Sequence, residues 1–291
     1  MKYILQLIFL ALIVSCNSSK KEKEYYANGK LKYEVTINDD GYNGDYKEYY
    51  EDGTLRFEGV FKDNLKQGLF IHYYKPKDRL LKTETLWEND TLYHQKNIGK
   101  SGNVLSEGEL KNNLKVGIWK YYDENEGYLK EIREYLIIRD TTYLNQNWLL
   151  SRKKDTLPKG NHYKMMSPDT LNYEQQRVYF FLKQPYISYD SELVVLLPRK
   201  DDKLKKDFSN ESIIEWDTID NLANRFRNHG KYGDRKHDVV FDLDYLSSGK
   251  KRLRGVLLEK QNTESDISKF DFITRKIYFD KEIYIRSKKD D

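Results

Sequence analysis

The stretch YYEDGTLRFEGVFKDNLKQG, Tyr49 to Gly68, holds a paired aromatic, an Asp-Gly turn, an alternating run and a second polar turn. Within TLRFEGVF, Leu55, Phe57 and Gly59 point one way while Arg56, Glu58 and Val60 point the other, because successive residues of a strand face opposite sides. Asp-Gly between alternating runs is a strong short-range hairpin signal. The stretch therefore reads as a β-hairpin with one turn at Asp52-Gly53 and a second, KDNLKQG, ending at Gly68.

The same pattern recurs along the chain. Tyr25-Tyr26, Tyr49-Tyr50, Tyr73-Tyr74 and Tyr121-Tyr122 are separated by steps of 24, 24 and 48 residues, and the missing pair falls at Asn97-Ile98. A fixed period in this range marks stacked supersecondary units. One hairpin alone is marginal in water, so each unit must bury its aromatic face against its neighbour. Each Tyr-Tyr pair is expected to put one ring in the core and one at a wet rim, where its hydroxyl meets water.

The combination of Tyr-Tyr-x-x-Gly, Glu-Gly and Lys-x-Gly-x-Trp-x-Tyr-Tyr, as in KVGIWKYY (Lys115 to Tyr122), resembles the MORN repeat family. More closely it is similar to the variant arrays of bacterial envelope proteins. The resemblance covers about residues 25 to 140 and implies a curved sheet used for binding or scaffolding, with no catalytic residues to carry over. The unit at Tyr73 departs from it: Lys77 stands at the turn glycine, and LWENDTLYHQ lacks the expected glycines.

The first sixteen residues, MKYILQLIFLALIVSC, carry Lys2 before an apolar run from Ile4 to Val14 broken only by Gln6. Such a run is too short to span a bilayer but suits a signal peptide. Its end, Ile13-Val14-Ser15-Cys16, resembles the lipobox of bacterial lipoproteins. That resemblance implies lipidation of Cys16, removal of residues 1–15 and a membrane anchor. Asn17 after the cysteine implies the outer membrane of a Gram-negative envelope. Cys16 is the only cysteine, so no internal disulfide can form. Residues 17–24, NSSKKEKE, read as a charged, solvated tether.

Charged residues reach 34% and the mean hydropathy is -0.87, a balance that would favour disorder without the 25 Tyr, 12 Phe and 4 Trp available to build cores. The 51 basic and 47 acidic residues are interspersed, which argues against a nucleic-acid partner, since that shows as a clustered basic face. Beyond residue 144 the period stops, with turn chemistry at Leu157-Pro158-Lys159-Gly160. Short runs rich in Val, Ile, Tyr and Phe follow: RVYFFLKQPYISY, ELVVLLP, HDVVFDLDYL, RLRGVLLEKQ and FDFITRKIYFDKEIYI. These predict a β-sandwich-like domain over 145–291, with room for one short helix ending at Gly230. The fold expected is all-β, an array of hairpins over 25–144 followed by that domain.

Few residues carry recognisable chemistry. Gly99-Lys100-Ser101 imitates the end of a phosphate loop, but His94 stands where its first glycine belongs. His72, His94, His162, His229 and His237 are scattered, and no nucleophile or zinc motif is present. Asp238, Asp242 and Asp244 fall on one face of a strand, weak candidates for a Ca²⁺ site against the plainer reading of a solvated face with Val239, Phe241 and Leu243 inward. No cofactor is implied. Asp-Thr recurs at Thr91, Thr141, Thr156, Thr170 and Thr218, and resembles an O-glycosylation pattern of exported bacterial proteins. The expectation is a non-catalytic, lipid-anchored envelope protein with a protein or glycan partner. The alternatives are an envelope hydrolase with its site in the C-terminal domain, and an antitoxin-like repeat protein.

Overall fold

The computed structural model describes residues 19–75, 78, 80–166, 170–171, 177–182, 185–199, 203–220, 236–243, 247–263 and 271–287. The leader with Cys16, and also Asp169, His229, Gly230 and Asp244, lie outside the described residues. By compactness the chain divides after Tyr93.

The first unit contains β1 (Lys20–Tyr25), β2 (Leu31–Asn38), β3 (Gly41–Tyr49), β4 (Leu55–Lys62), β5 (Leu65–Tyr73) and β6 (Leu80–Glu88), each antiparallel to the next. β7 (Thr91–Gly99) spans the division, and β8 (Val104–Lys111), β9 (Leu114–Tyr122), β10 (Leu129–Ile138), β11 (Thr141–Leu150) and β12 (Thr156–Asn161) continue in the second unit. The sheet order is β1 to β12 in chain order. Lys20 to Glu24, read from composition as part of a tether, are exposed but belong to β1.

Two kinds of turn alternate. After Tyr25-Tyr26 and Tyr49-Tyr50, and after Asn97-Ile98 where the period has no aromatic pair, the loop closes with the same two bonds. Tyr26 N–H reaches Lys30 O and Gly29 N–H reaches Tyr26 O; Tyr50 with Thr54 and Gly53 repeats this, as does Gly99 with Asn103 and Gly102. Gly29, Gly53 and Gly102 have φ of +79°, +89° and +84°, the left-handed residue such a loop requires. Four of the other turns, Asp63-Asn64, Asn89-Asp90, Asn112-Asn113 and Arg139-Asp140, have positive φ at both residues, as type I′ hairpins demand; at Asp39-Asp40 the positive φ falls on Gly41 instead. Gly68 and Gly117 are therefore not turn residues. They lie inside β5 and β9, where the register shifts against the neighbouring strand, and their positive φ marks a bulge.

In the second half β13 (Tyr163–Met166), β15 (Arg177–Leu182) and β18 (Asp238–Asp242) form one sheet. A second runs β14 (Thr170–Leu171), β20 (Asp271–Ile285), β19 (Gly249–Thr263), β16 (Glu192–Pro198), β17 (Trp216–Ile219). Val178, Phe180, Val239 and Phe241 of the first pack with Leu193, Val195, Leu257, Ile277 and Phe279 of the second, the sandwich that their alternation predicts. Two local expectations change. Leu157-Pro158-Lys159-Gly160 lies within β12, and the described part of the expected helical stretch holds a single 3-10 turn at Glu211–Ile213 followed by β17. The other face of the five-stranded sheet buries Val256 and Tyr278 against Leu204, Phe208, Leu136 and Tyr143.

Candidate functional site

The repeat sheet builds its core from rings that lie against one another. In the first unit Tyr33, Tyr46, Phe61, Phe70 and Trp87 follow across successive strands at centroid distances of 6.3, 5.4, 5.5 and 6.2 Å. The last three contacts are edge-to-face, at 76°, 88° and 67°, a geometry in which the rings satisfy each other's quadrupoles. Such rings do not lie flat as a platform. Phe70 and, in the second unit, Trp119 rest on the backbone of Gly59 and Gly108, where a Cβ would come within 2.4 and 2.5 Å of ring atoms. The Glu-Gly signature thus clears space for the aromatic residue eleven positions later.

The lysine of Lys-x-Gly completes the arrangement. Lys66 Nζ lies 4.2 Å from the Trp87 ring centre and 5.5 Å from Phe70. Lys115 Nζ lies 4.2, 5.4 and 5.5 Å from Trp119, Tyr121 and Tyr135, and donates to Tyr121 Oη at 3.0 Å. Each ammonium fills an aromatic enclosure with the chain's own charge. Burial lowers the Lys115 pKa. Beside it Arg133 stacks on Tyr121 at 4.3 Å and forks onto both Glu131 oxygens at 2.8 and 2.9 Å. Burial opposes ionisation of Glu131, but the bonds from Arg133 and Asn147 outweigh it and its pKa falls.

Nor do the paired tyrosines divide into a core ring and a wet ring. None of them is fully buried. Tyr26 Oη donates to Tyr49 O at 2.7 Å and Tyr50 Oη to Tyr73 O at 2.8 Å, so each hydroxyl is bonded to the next repeat. Tyr73 and Tyr122 donate to Glu58 and Glu107 at 2.7 and 2.5 Å. In the departing unit Tyr74 Oη meets Thr83 Oγ1 instead, and Thr85, with the Trp87 Nε1 bonded to it at 2.9 Å, lies opposite Phe70.

Of the aspartate row, Asp238 and Asp242 lie among the described residues and Asp244 does not. Asp242 accepts both arms of Arg177, at 2.7 and 3.1 Å, and no group of ligating side chains suited to a metal occurs among the described residues. Val239, Phe241 and Leu243 are buried, as the amphipathic reading requires. His72 is stacked between Phe57 and Tyr74, and His162 is buried over Trp148.

One constellation has no counterpart among the residues singled out by sequence. Ser191 Oγ lies 2.9 Å from His237 Nε2 and 2.7 Å from Glu259 Oε1, the three being 46 and 68 residues apart along the chain. The residue types are those of a serine hydrolase, but the connectivity differs: the carboxylate accepts from the serine rather than orienting the histidine. Glu259 also accepts the N–H groups of Tyr186 and Ile187, at 3.1 and 2.9 Å, and both Ser191 and Glu259 are fully buried. This is a structural network around a loop. No periodicity or motif announces it.

The chain matches no family model, no curated protein and no solved structure. No helix among the described residues is long and apolar enough to cross a membrane.

Proposed function

We propose that this protein is a lipid-anchored component of a bacterial cell envelope whose hairpin array acts as a non-catalytic interaction or scaffold surface. The anchor rests on the lipobox-like Ile13-Val14-Ser15-Cys16, and the role of the array on its resemblance to MORN-variant repeats. One structural observation carries the surface. In the first unit the ring ladder occupies one face, and the opposite face of β4, β5 and β6 bears Val60 and Leu69, 42% and 46% exposed, with Leu86 directly across from Leu69. Asp45, paired with Val60, and Glu84 and Lys82 of β6 edge this apolar strip. An apolar centre with a charged rim is the anatomy of a protein interface.

The test separates the two parts. Cys16→Ala, expressed in the native host, should leave the precursor unlipidated and out of the membrane-anchored mature pool; a mature-length, fully membrane-bound variant would overturn the anchor. The Val60→Lys/Leu69→Lys variant should keep the parent melting temperature but run at monomer size after gentle solubilisation of native membranes, where the parent migrates as a larger complex. Parent and variant migrating alike would overturn the surface.

A further inference from the structure

Only Asn17, Ser18 and Ser19 separate Cys16 from Lys20, where β1 begins. The four residue steps from Cys16 to Lys20 reach at most about 14 Å even when fully extended. On the anchor reading proposed above, on which this inference rests, Lys20 is held within that distance of the lipid attachment point. A folded domain is wider than such a gap. What lies nearest this end of the sheet is therefore the headgroup layer, and β1 is an edge strand with no neighbour beyond it among the described strands.

The charges of the edge suit that neighbour. Every residue of β1 is exposed. Lys20 has no ion-pair partner among the described residues, and Lys21 and Lys23 share one carboxylate, Glu34, at 3.6 and 3.9 Å while staying 60% and 45% exposed. The acids of the strand are turned to β2: Glu24 is taken by Lys32 at 2.6 Å, and Glu22 accepts from Tyr33 Oη at 3.4 Å. Glu22 alone has no cation beside it, so the ammonium groups prevail at the rim. Their long stems let them reach past the shorter acids. We propose that β1 lies along the bilayer and docks on anionic lipid headgroups through Lys20, Lys21 and Lys23. Each lysine at such a surface strengthens binding about fivefold, an effect that fades over a Debye length of about 8 Å. Lys62, exposed on β4, stands three strands and about 14 Å across the sheet from β1 and falls outside that range. Standing on its edge, the first unit keeps both faces, and with them Val60 and Leu69, clear of the membrane.

The test is independent of how the native host processes Cys16. The chain from Cys16 onward keeps every described element and has a single thiol. It is coupled there to a maleimide lipid in vesicles of phosphatidylcholine, with or without phosphatidylglycerol. Acetylation of lysines, read by mass spectrometry, should slow about threefold or more at Lys20, Lys21 and Lys23 when phosphatidylglycerol is present. Lys62 should label alike on both vesicles, and high salt should remove the difference at β1. Alkylating Cys16 with one acyl chain instead gives only marginal attachment, so the lysines' share of binding becomes visible. Lys20→Gln/Lys21→Gln/Lys23→Gln should then lose about tenfold in affinity for phosphatidylglycerol vesicles and bind phosphatidylcholine vesicles as the parent does. Should that variant melt below the parent, the acetylation pattern of the unaltered chain decides. Equal acetylation of β1 on both vesicles, equal slowing at Lys62, or a well-folded triple variant that prefers phosphatidylglycerol as the parent does would each overturn the docking. A native chain without lipid at Cys16 would overturn the anchor, a result that the vesicle measurements neither need nor imitate.

Discussion

At Gly53 the backbone is left-handed and a Cβ would meet nothing closer than Lys30 Cδ at 3.6 Å, whereas at Gly108 the backbone is ordinary and a Cβ would strike the Trp119 ring at 2.5 Å. The two glycines answer different constraints, so alanine should fail differently at each. Gly53→Ala should cost about 1 kcal/mol through backbone conformation alone. Gly108→Ala should cost about 1–3 kcal/mol through overpacking and shift the Trp119 resonance in fluorine-labelled tryptophan spectra, which Gly53→Ala leaves in place. Equal shifts in both would refute the ring-on-glycine account. Asn145 is a second such case. It is buried, its Nδ2 donates to Tyr278 O at 2.9 Å and to Glu134 Oε2 at 2.7 Å, and its Oδ1 accepts Tyr278 N–H at 2.8 Å. Asn145→Ala strands both backbone groups of Tyr278 and should cost about 2–4 kcal/mol, and Asn145→Asp more, since an acceptor would then face an acceptor. Denaturant unfolding checks the order. His237 adds a pH dependence of known sign. Burial holds its pKa below the ordinary value, while the Glu259 and Asp238 charges pull the other way. The folded state therefore favours neutral imidazole, and the contribution, full above the unfolded pKa of about 6.5, is lost as pH falls below it. His237→Gln should flatten the stability profile between pH 7 and 5.

At the scale of the element, type I′ turns favour glycine at their second residue, but here the side chains at that place do unequal work. Asn64 bridges to the preceding turn, its Nδ2 donating to Asp40 O at 2.7 Å and its Oδ1 accepting Tyr42 N–H at 2.8 Å; Asn113 makes no such bond among the described residues. Asn113→Gly should therefore stabilise the array by a few tenths to about 1 kcal/mol, and Asn64→Gly should destabilise it. Melting temperatures moving in the same direction would contradict the bridge. This contrast also shows what the sequence could reveal. The hairpins were legible because Asn28-Gly29, Asp52-Gly53 and the alternation around Phe57 are local signals with local causes. Gly68 was legible as a special glycine but misplaced in a turn, because a bulge and a turn both ask for positive φ. The Leu157–Gly160 stretch carries turn residues yet lies within β12, where Gly160 pairs with Trp148 of β11 and the register shifts before Thr156 meets Leu150. Asn145 and Glu259 were not legible at all. Their partners lie more than a hundred residues away on β20 in one case and about seventy away, in the loop before β16, in the other, and neither residue type is unusual where it stands.

Taken whole, the molecule must keep an exposed sheet edge from pairing with another copy. β1 pairs only with β2 among the described strands, and all its residues are exposed. An unpaired edge is a template for association. Two β1 strands related by a two-fold axis would run antiparallel, and facing residues would have to lie on the same face of the joined sheet, so their numbers must sum to an even value. In the register centred on Glu22, Glu22 faces its own copy and Lys21 faces Lys23; in the one centred on Lys23, Lys23 faces itself and Glu22 faces Glu24. Like charges directly opposite destabilise a pair, and the attraction of Lys20 for Glu24 in the first register offsets only part of this. The sequence KKEKEY therefore holds the edge open without inviting self-pairing. Lys21→Thr/Glu22→Val/Lys23→Thr removes the repulsion and raises strand propensity, so it should associate in a concentration-dependent way. Sedimentation velocity on the unlipidated chain checks this, with the parent expected to hold one species over the same range. A variant that sediments like the parent would mean that something other than charge guards this edge.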